Sequence, residues 1–421
     1  MGRPIWQLVL LIDMNASMNP ALDSRMNPAQ WRLPLMHNNI VRADLDCLIE
    51  YLSQDDPRLT NGPKVEEFEK AWSNWLGVES SVVLNSGSSA NDLAILALSH
   101  LKGVGEVVVS PLGWVSDIAS IIHAGCKPVF VDIDLATLAP SVSAIEKAIT
   151  RETKAALLVH ILGLAALTQE HIELFESLDT VELIEDVCES HGATVGLKKA
   201  GSFGWMSCFS FYYAHHLTTI EGGAVCTNDM EVYETLRMLR AHGLVREVKD
   251  SAVRASIVES HKDLNPEFIF QYAAHNMRPT EIQGVLGLAQ LARLDENNKA
   301  RTRNLMRFLE QLDEKRFYTN FATEGSSNYA FIIILREPDT RLRDAMENKM
   351  RENGIEFRRG LSGGGNQLRQ PYLRRLYPDL EPKDFPNVEH VHNYGWYVGN
   401  FPDLQVQEID WLCEVLQSPV N

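Results

Sequence analysis

From Ser81 onward, short apolar runs alternate with stretches whose apolar residues recur every three or four positions. The runs are SVVL (81–84), EVVVS (106–110), KPVFVDID (127–134), AALLVH (155–160), ELIEDV (182–187), MSCFSFY (206–212) and GAVCTN (223–228). They are rich in β-branched and aromatic residues, and they stay apolar instead of alternating with polar positions. Strands of that kind are buried on both faces, which calls for helices on each side of a mostly parallel sheet. The pattern predicts an α/β fold whose ligand site lies at the carboxyl ends of the strands. TEIQGVLGLAQLARL (280–294) reads as a long helix, and NYAFIIIL (328–335) and IEFRRG (355–360) read as strands of a smaller C-terminal α+β domain. PKVEEFEKAWSNWLG (63–77) is an amphipathic helix, expected to pack beside that smaller domain. The layout read from the pattern is a poorly specified leader over 1–30, a large domain with an N-terminal helical segment over 31–290, and a small domain over 291–421.

A chain of 421 residues is longer than one ordinary core requires, in keeping with two domains. A net charge of −17 argues against nucleic acid or an anionic membrane as partner, while local amides and a few arginines can still hold a phosphorylated ligand. Six cysteines (Cys47, Cys126, Cys188, Cys208, Cys226 and Cys413) are scattered without a CxxC pair. They read as reduced thiols of a cytoplasmic protein, with no metal site. The early run IWQLVLLIDM is too short to span a bilayer, carries only Arg3 before it and is followed by no A-x-A site. Met14, Met18 and Met26 are alternative starts.

Candidate chemistry sits at strand ends. In LNSGSSANDLAILAL (84–98) a strand ends at Leu84, a Gly/Ser turn follows and a helix begins near Ser89, so free amides and the helix dipole offer a phosphate seat. A plain N-cap would read the same way. In SPLGWVSDIASI, Trp114 follows a strand end, where it either lies flat on a planar ligand or fills the core. Asp186 ends the apolar strand of ELIEDVCESHGA; a buried acid there suits a pyridine nitrogen, whose N–H⁺ makes the ring an electron sink, or else a salt bridge. Glu189 and His191 follow closely, Ser210 offers a hydroxyl, and Asn276 and Arg278 precede a helix in HNMRPTEIQ.

Each signal is modest, but their order is distinctive. TNGPKVEEFE, SGSSA, SPLGW, EDVCESHG, SFYYAHHLTTIEGG and HNMRPTEIQG together resemble the sugar aminotransferase family (DegT/StrS type) of pyridoxal 5'-phosphate (PLP) enzymes, over roughly Asn61 to the C-terminus. The resemblance implies the aspartate aminotransferase fold (fold type I), with a large seven-stranded mixed, mostly parallel sheet. It also implies roles. Ser88 and Ser89 would offer amides to the cofactor phosphate and Ser210 its hydroxyl; Trp114 would stack on the ring, Asp186 would hold the ring nitrogen, and Glu189 would assist. Asn276 would reach the phosphate of a partner's cofactor, making a homodimer the minimal unit.

One position departs from the family. Six residues before Glu221, where the aminotransferases carry the lysine that forms the Schiff base, stands His215. An imidazole forms no stable imine, so PLP must be held without a covalent link and recharged to pyridoxamine 5'-phosphate (PMP) by an amino acid. Histidine suits a general base, since its pKa lies near working pH. Within the family, the Lys-to-His variants are 3-dehydratases that make 3,6-dideoxysugars. One sort acts on CDP-sugars with an iron–sulfur cluster and a reductase; the other acts on GDP-4-keto-6-deoxymannose with L-glutamate and no metal. The sparse cysteines, Glu189 in place of the usual Gln, and the tail EFRRGLSGGGNQLRQPYL favour the second. A nucleotide-sugar 4-aminotransferase is the alternative, and a lipopolysaccharide O-antigen or capsular glycan is the natural destination of the product. His216, Arg240, Arg246, Arg278, Arg358 and Arg359 are further candidates for shaping the pocket or gripping the substrate's diphosphate or the glutamate carboxylate.

Overall fold

Residues 31–419 are described in a computed structural model of the chain; the expected leader over 1–30 lies outside the described residues. Each predicted apolar run forms a strand. In chain order these are β1 (Ser80–Leu84), β2 (Glu106–Val109), β3 (Lys127–Phe130), β4 (Thr153–Val159) and β5 (Glu182–Asp186), then a two-residue pair β6 (Thr194–Val195) and β7 (Lys198–Lys199), then β8 (Met206–Ser210) and β9 (Gly223–Thr227). β6 and β7 form a small ribbon, and the other seven form one sheet in the order β1-β9-β8-β5-β4-β2-β3. β9 runs antiparallel to both neighbours, whereas β8, β5, β4, β2 and β3 pair in parallel.

Alternate residues of each strand feed different cores, as the two-residue period of a pleated strand requires. Val82, Leu84, Val107, Val109, Leu157 and Ile184 pack on the helix Gly87–Lys102 through Ala90, Leu93, Ala94 and Leu98. Val83, Phe209, Ala224 and Cys226 face Val65, Phe68 and Trp72 of the helix Pro63–Leu76.

That second contact corrects an expectation: the helix Pro63–Leu76 packs on the large sheet and on the helix Glu281–Leu291, not beside the smaller C-terminal sheet. Its apolar stripe matches Phe209 and Phe211, and Gly287 makes the helix crossing possible, since a Cβ there would lie 2.5 Å from Phe68 Cζ.

β10 (Ala330–Ile334), β11 (Phe357–Arg359) and β12 (Gly395–Gly399) form a second sheet with β12 central and both pairings antiparallel. Phe331, Ile333, Trp396 and Val398 face a core shared with Phe308 of the helix Leu294–Gln311 and Leu412 of the helix Val406–Gln417. Ile332 and Ile334 point the other way, into the core that also holds Leu162 and Leu361. The smaller sheet is thus buried on both faces and presses one of them toward the carboxyl ends of β2, β4 and β5.

Candidate active site

At those strand ends lies a cavity of about 400 Å³. Its floor begins with the turn after β1. Ser86 caps the helix Gly87–Lys102, its Oγ accepting from Ser89 N at 3.1 Å. Because the first-turn amides of a helix lack intrahelical acceptors, those of Gly87 and Ser88 stay open toward the cavity. The expectation for Ser89 is corrected here: its amide is taken by the cap, and it does not line the cavity. Gly87 sits hard against Ser210 at the end of β8, where a Cβ would come within 2.4 Å of Ser210 Cβ. A Cβ on Gly223 would lie 2.3 Å from Ser86 O, and one on Gly222 would lie 2.2 Å from Thr219 Oγ1. Gly223 therefore lets β9 close on the Ser86–Ser88 turn, and Gly222 lets the lead-in to β9 pack against Thr219.

Asp186 ends β5 and is 4 % exposed. Its Oδ1 accepts from Cys188 N at 2.9 Å and its Oδ2 from Asn91 Nδ2 at 2.7 Å. Glu185, one residue earlier, faces the opposite way and accepts the amides of Gly201, Phe203 and Gly204, so strand alternation alone sends one of two consecutive acids into the cavity. Trp114 opens the helix Val115–His123 with its amide bonded to Asp117 Oδ2 at 2.8 Å, and its side chain is left 54 % exposed at the cavity wall.

His215 and His216 part company. His215 lines the cavity, its amide bonded to Tyr212 O and its ring 5.5 Å from Tyr329 and 6.0 Å from His191. Its Nδ1 is buried without a hydrogen-bond partner among the described residues. Burial lowers its pKa to about 4, the charge of Asp186 opposing and that of Arg301 assisting, so the ring is a neutral imidazole at pH 7. His216 points into the core, its Nε2–H donating to Ser327 O at 2.9 Å, and does not line the cavity. Consecutive positions in a turn face different ways, which is why adjacent histidines do not share one task.

Glu189 reaches the cavity from the segment after β5. Its Oε2 accepts from Leu162 N at 3.0 Å and its Oε1 from Ser362 Oγ at 2.9 Å, and burial raises its pKa to about 7. Leu162 has a φ of 49°, a left-handed conformation costly for a branched side chain, and the Glu189 carboxylate helps to hold it.

The arginines divide sharply. Arg358 lines the cavity. Arg240 does not: it is 1 % exposed, its Nη1 donating to Glu69 Oε1 at 2.6 Å and to Val83 O at 3.0 Å, so its charge is spent on a buried structural pair. Arg246 lies over the Phe268 ring, and Arg359 sits 3.4 Å from Glu347; neither lines the cavity. Asn276 is exposed and Arg278 half-buried on a segment outside the cavity of their own chain, where Asn276 Oδ1 accepts from Arg278 N. That segment nonetheless abuts the Ser86 turn, Asn85 N donating to Met277 O at 3.1 Å.

Several cavity residues carry no local signature: Asp117, Tyr329, Ser362 and Tyr397 line it, and Asn91 lies just beneath. Asp117 stands three residues after Trp114, where its carboxyl accepts the Trp114 amide and caps the helix Val115–His123. Tyr329 and Tyr397 arrive from the smaller sheet. Among the described residues, no group of three or more His, Cys, Asp or Glu is placed to hold a metal ion.

The model of the DegT/DnrJ/EryC1/StrS aminotransferase family matches residues 44–417. The chain belongs to this family. Within it, the chain is 31% identical over 369 residues to GDP-4-keto-6-deoxy-D-mannose 3-dehydratase of Escherichia coli O55:H7, covering 86% of this chain and 94% of the relative. The solved structure of the E. coli GDP-4-keto-6-deoxy-D-mannose-3-dehydratase with bound hydrated PLP superposes with a TM-score of 0.82 at 30% identity, covering 92% of this chain and 100% of that one. A structure of GDP-4-keto-6-deoxymannose-3-dehydratase with a trapped PLP-glutamate geminal diamine superposes with a TM-score of 0.80 at 29% identity, covering 91% of this chain and 100% of that one. The mixed seven-stranded sheet is therefore that of the fold type I PLP enzymes.

Proposed function

We propose that this member of the family is a PLP/PMP-dependent 3-dehydratase. It removes the C3 hydroxyl of a nucleotide-linked 4-keto-6-deoxyhexose, GDP-4-keto-6-deoxymannose first, with L-glutamate as amino donor, and yields a 3,6-dideoxysugar. The observation that carries this reading is His215: the residue at the Schiff-base position is a neutral, cavity-lining imidazole with a buried and unpartnered Nδ1. A lysine there would trap the cofactor; an imidazole leaves it free and offers a base.

The residues present fit a cofactor held without a covalent link. The Gly87–Ser210 and Gly223–Ser86 approaches build a cradle that a single Cβ would fill, open amides face it, and a buried carboxylate closes the other end of the cavity. Gly87 N, Ser88 N and Ser210 Oγ would bind the phosphate, and Trp114 would cover one ring face and exclude water. Asp186 would hold the proton of the ring nitrogen, and Glu189 would orient the ring from its edge while tying it to Ser362 of the Gly-rich loop. When bound, PMP supplies the amine that condenses with the sugar's ketone and a ring that accepts and returns an electron pair. His215 would take the proton from the cofactor's C4′ carbon and deliver it to the departing C3 hydroxyl oxygen. Arg358 is the cavity arginine suited to the glutamate carboxylate or the diphosphate.

The working unit in this reading is a homodimer with a shared site, acting in the cytoplasm. Exposure of Asn276 outside its own cavity supports it, as a residue lent to a partner must face outward. Among the described residues no helix is long and apolar enough to cross a membrane. The test is the mass of the nucleotide sugar formed from GDP-4-keto-6-deoxymannose with PLP and L-glutamate. Loss of the hydroxyl oxygen with release of ammonia is the expected result. A product that keeps the hydroxyl and gains an amine would make the enzyme a 4-aminotransferase and remove His215 from its proposed role.

A further inference from the structure

Asp117 lines the cavity, is 1 % exposed, and takes no part in the reaction outlined above. Its carboxyl and that of Asp186 are tied to a single nitrogen. Asn91 Nδ2 donates to Asp117 Oδ1 at 2.9 Å and to Asp186 Oδ2 at 2.7 Å, and Asn91 is itself 1 % exposed. The two carboxyl oxygens are the nearest acceptors of that nitrogen, with Ser116 Oγ further off at 3.3 Å. The remaining Asp117 oxygen accepts the Trp114 amide at 2.8 Å. The titratable groups that face Asp117 are Asp186 and Glu189 from β5 and the segment after it, Cys188 and Cys208 from that segment and β8, and Tyr372 from the helix Pro371–Leu376. None of these carries a positive charge.

Two like charges that share one buried donor nitrogen cannot both persist, and none of the groups facing Asp117 is a cation to offset them. The first-turn position of Asp117 in the helix Val115–His123 favours an anion, but that attraction is small beside the repulsion from a second buried carboxylate. We propose that Asp117 is a positioning residue that keeps its proton and donates it in a hydrogen bond to Asp186, so that the pair presents one negative charge, held at a fixed angle, to the cofactor's ring nitrogen. The role at the ring nitrogen rests on the PLP reading; the shared proton does not. Burial, then the Asp186 charge and the hydrogen bond to it, push the Asp117 carboxyl well above the usual carboxylate range.

The test begins on the cofactor-free full chain, so that it stands whether or not the PLP reading holds. Infrared spectra of protein labelled with ¹³C at the aspartate carboxyls should show the C=O stretch of a protonated acid at neutral pH, lost in Asp117→Asn. Absence of that band from the wild type overturns the proposal, and so does its survival in the variant. A second measurement reads position rather than proton count. Asp117→Ala removes the donor to Asp186 and should weaken PMP binding by about tenfold or more, while Asp117→Asn, neutral and of the same shape, should recover most of the loss. If the asparagine variant binds PMP as poorly as the alanine variant, the charge of Asp117 rather than its proton matters, and the proposal fails. Should Asp117→Ala not fold, the wild-type spectrum still decides.

Discussion

Gly87→Ala tests the cradle on which non-covalent cofactor binding depends. The new Cβ would lie 2.4 Å from Ser210 Cβ, 2.8 Å from Ser210 Oγ and 3.0 Å from Ser210 Cα. Carbons in ordinary contact stand about 3.5–4.0 Å apart, so the overlap is about 1 Å or more. It falls on atoms anchored to the backbone of β8, which cannot swing aside as a side-chain tip would. Gly87 is helical, so alanine carries no backbone strain and would by itself gain up to about 1 kcal/mol. Overpacking of this kind costs about 1–3 kcal/mol, and with backbone atoms in the way the upper half of that range applies. The net expectation is a loss of about 1–2 kcal/mol in the urea-unfolding free energy. Relief comes by moving the Ser86–Ser88 turn away from Ser210, which parts the amides from the hydroxyl that would share the phosphate. Losing one or two such hydrogen bonds, at about 1 kcal/mol each, should weaken PMP binding about tenfold, read by quenching of tryptophan fluorescence. Unchanged affinity together with equal or raised stability would show helix propensity to outweigh the contact and would refute the cradle.

Asp186→Asn should weaken PMP binding by about one to two orders of magnitude, the worth of a charge-assisted hydrogen bond, measured by the same titration. His215→Gln should cut turnover by about 10²–10⁴-fold with little change in the unfolding midpoint, because Nδ1 has no protein partner to lose; a large shift in midpoint would make His215 structural. The Glu189 carboxyl is raised to about 7 in the folded chain, so its contribution to stability is fully present below its ordinary pKa and is lost as pH rises through 7. That loss amounts to roughly 3 kcal/mol at most, and Glu189→Gln should flatten the stability profile between about pH 4 and 8; a profile of unchanged slope would exclude Glu189 as its source. Mixing inactive His215→Gln and Asn276→Asp subunits should restore about a quarter of wild-type turnover, since half the dimers would be mixed and each would hold one intact site. No recovery after subunit exchange would argue against a shared site.

The large sheet was legible because its signal is local. An apolar run such as AALLVH can be satisfied only where both faces are covered, and β4 is buried on both. The Ser86–Ser88 turn, Asp186 and His215 were legible for a similar reason, since each sits at a fixed offset from a strand end or from Glu221-Gly222-Gly223. The helix Pro63–Leu76 shows the limit of such reasoning. Its stripe announced a buried face but not which surface would cover it, and Phe209 and Phe211, far along the chain, made that choice.

The same limit governs the site. Arg240 and Arg358 are equally charged on paper, yet Glu69 claims the first across 171 positions, while the second, paired with its near neighbour Glu356, lines the cavity. Asn91 gains meaning only when β5 and the helix Val115–His123 bring Asp186 and Asp117 to it from 95 and 26 residues away. By itself the sequence determined the sheet and the family resemblance, and with that resemblance the reading of His215 at the place of the Schiff-base lysine, because periodicity, turn chemistry and the identity of a side chain are properties of neighbouring residues. Only the tertiary structure decided which charges are paired, which polar atoms are buried without partners and which histidine of the pair faces the cavity. Desolvation and hydrogen bonding act between atoms that the chain brings together only by folding.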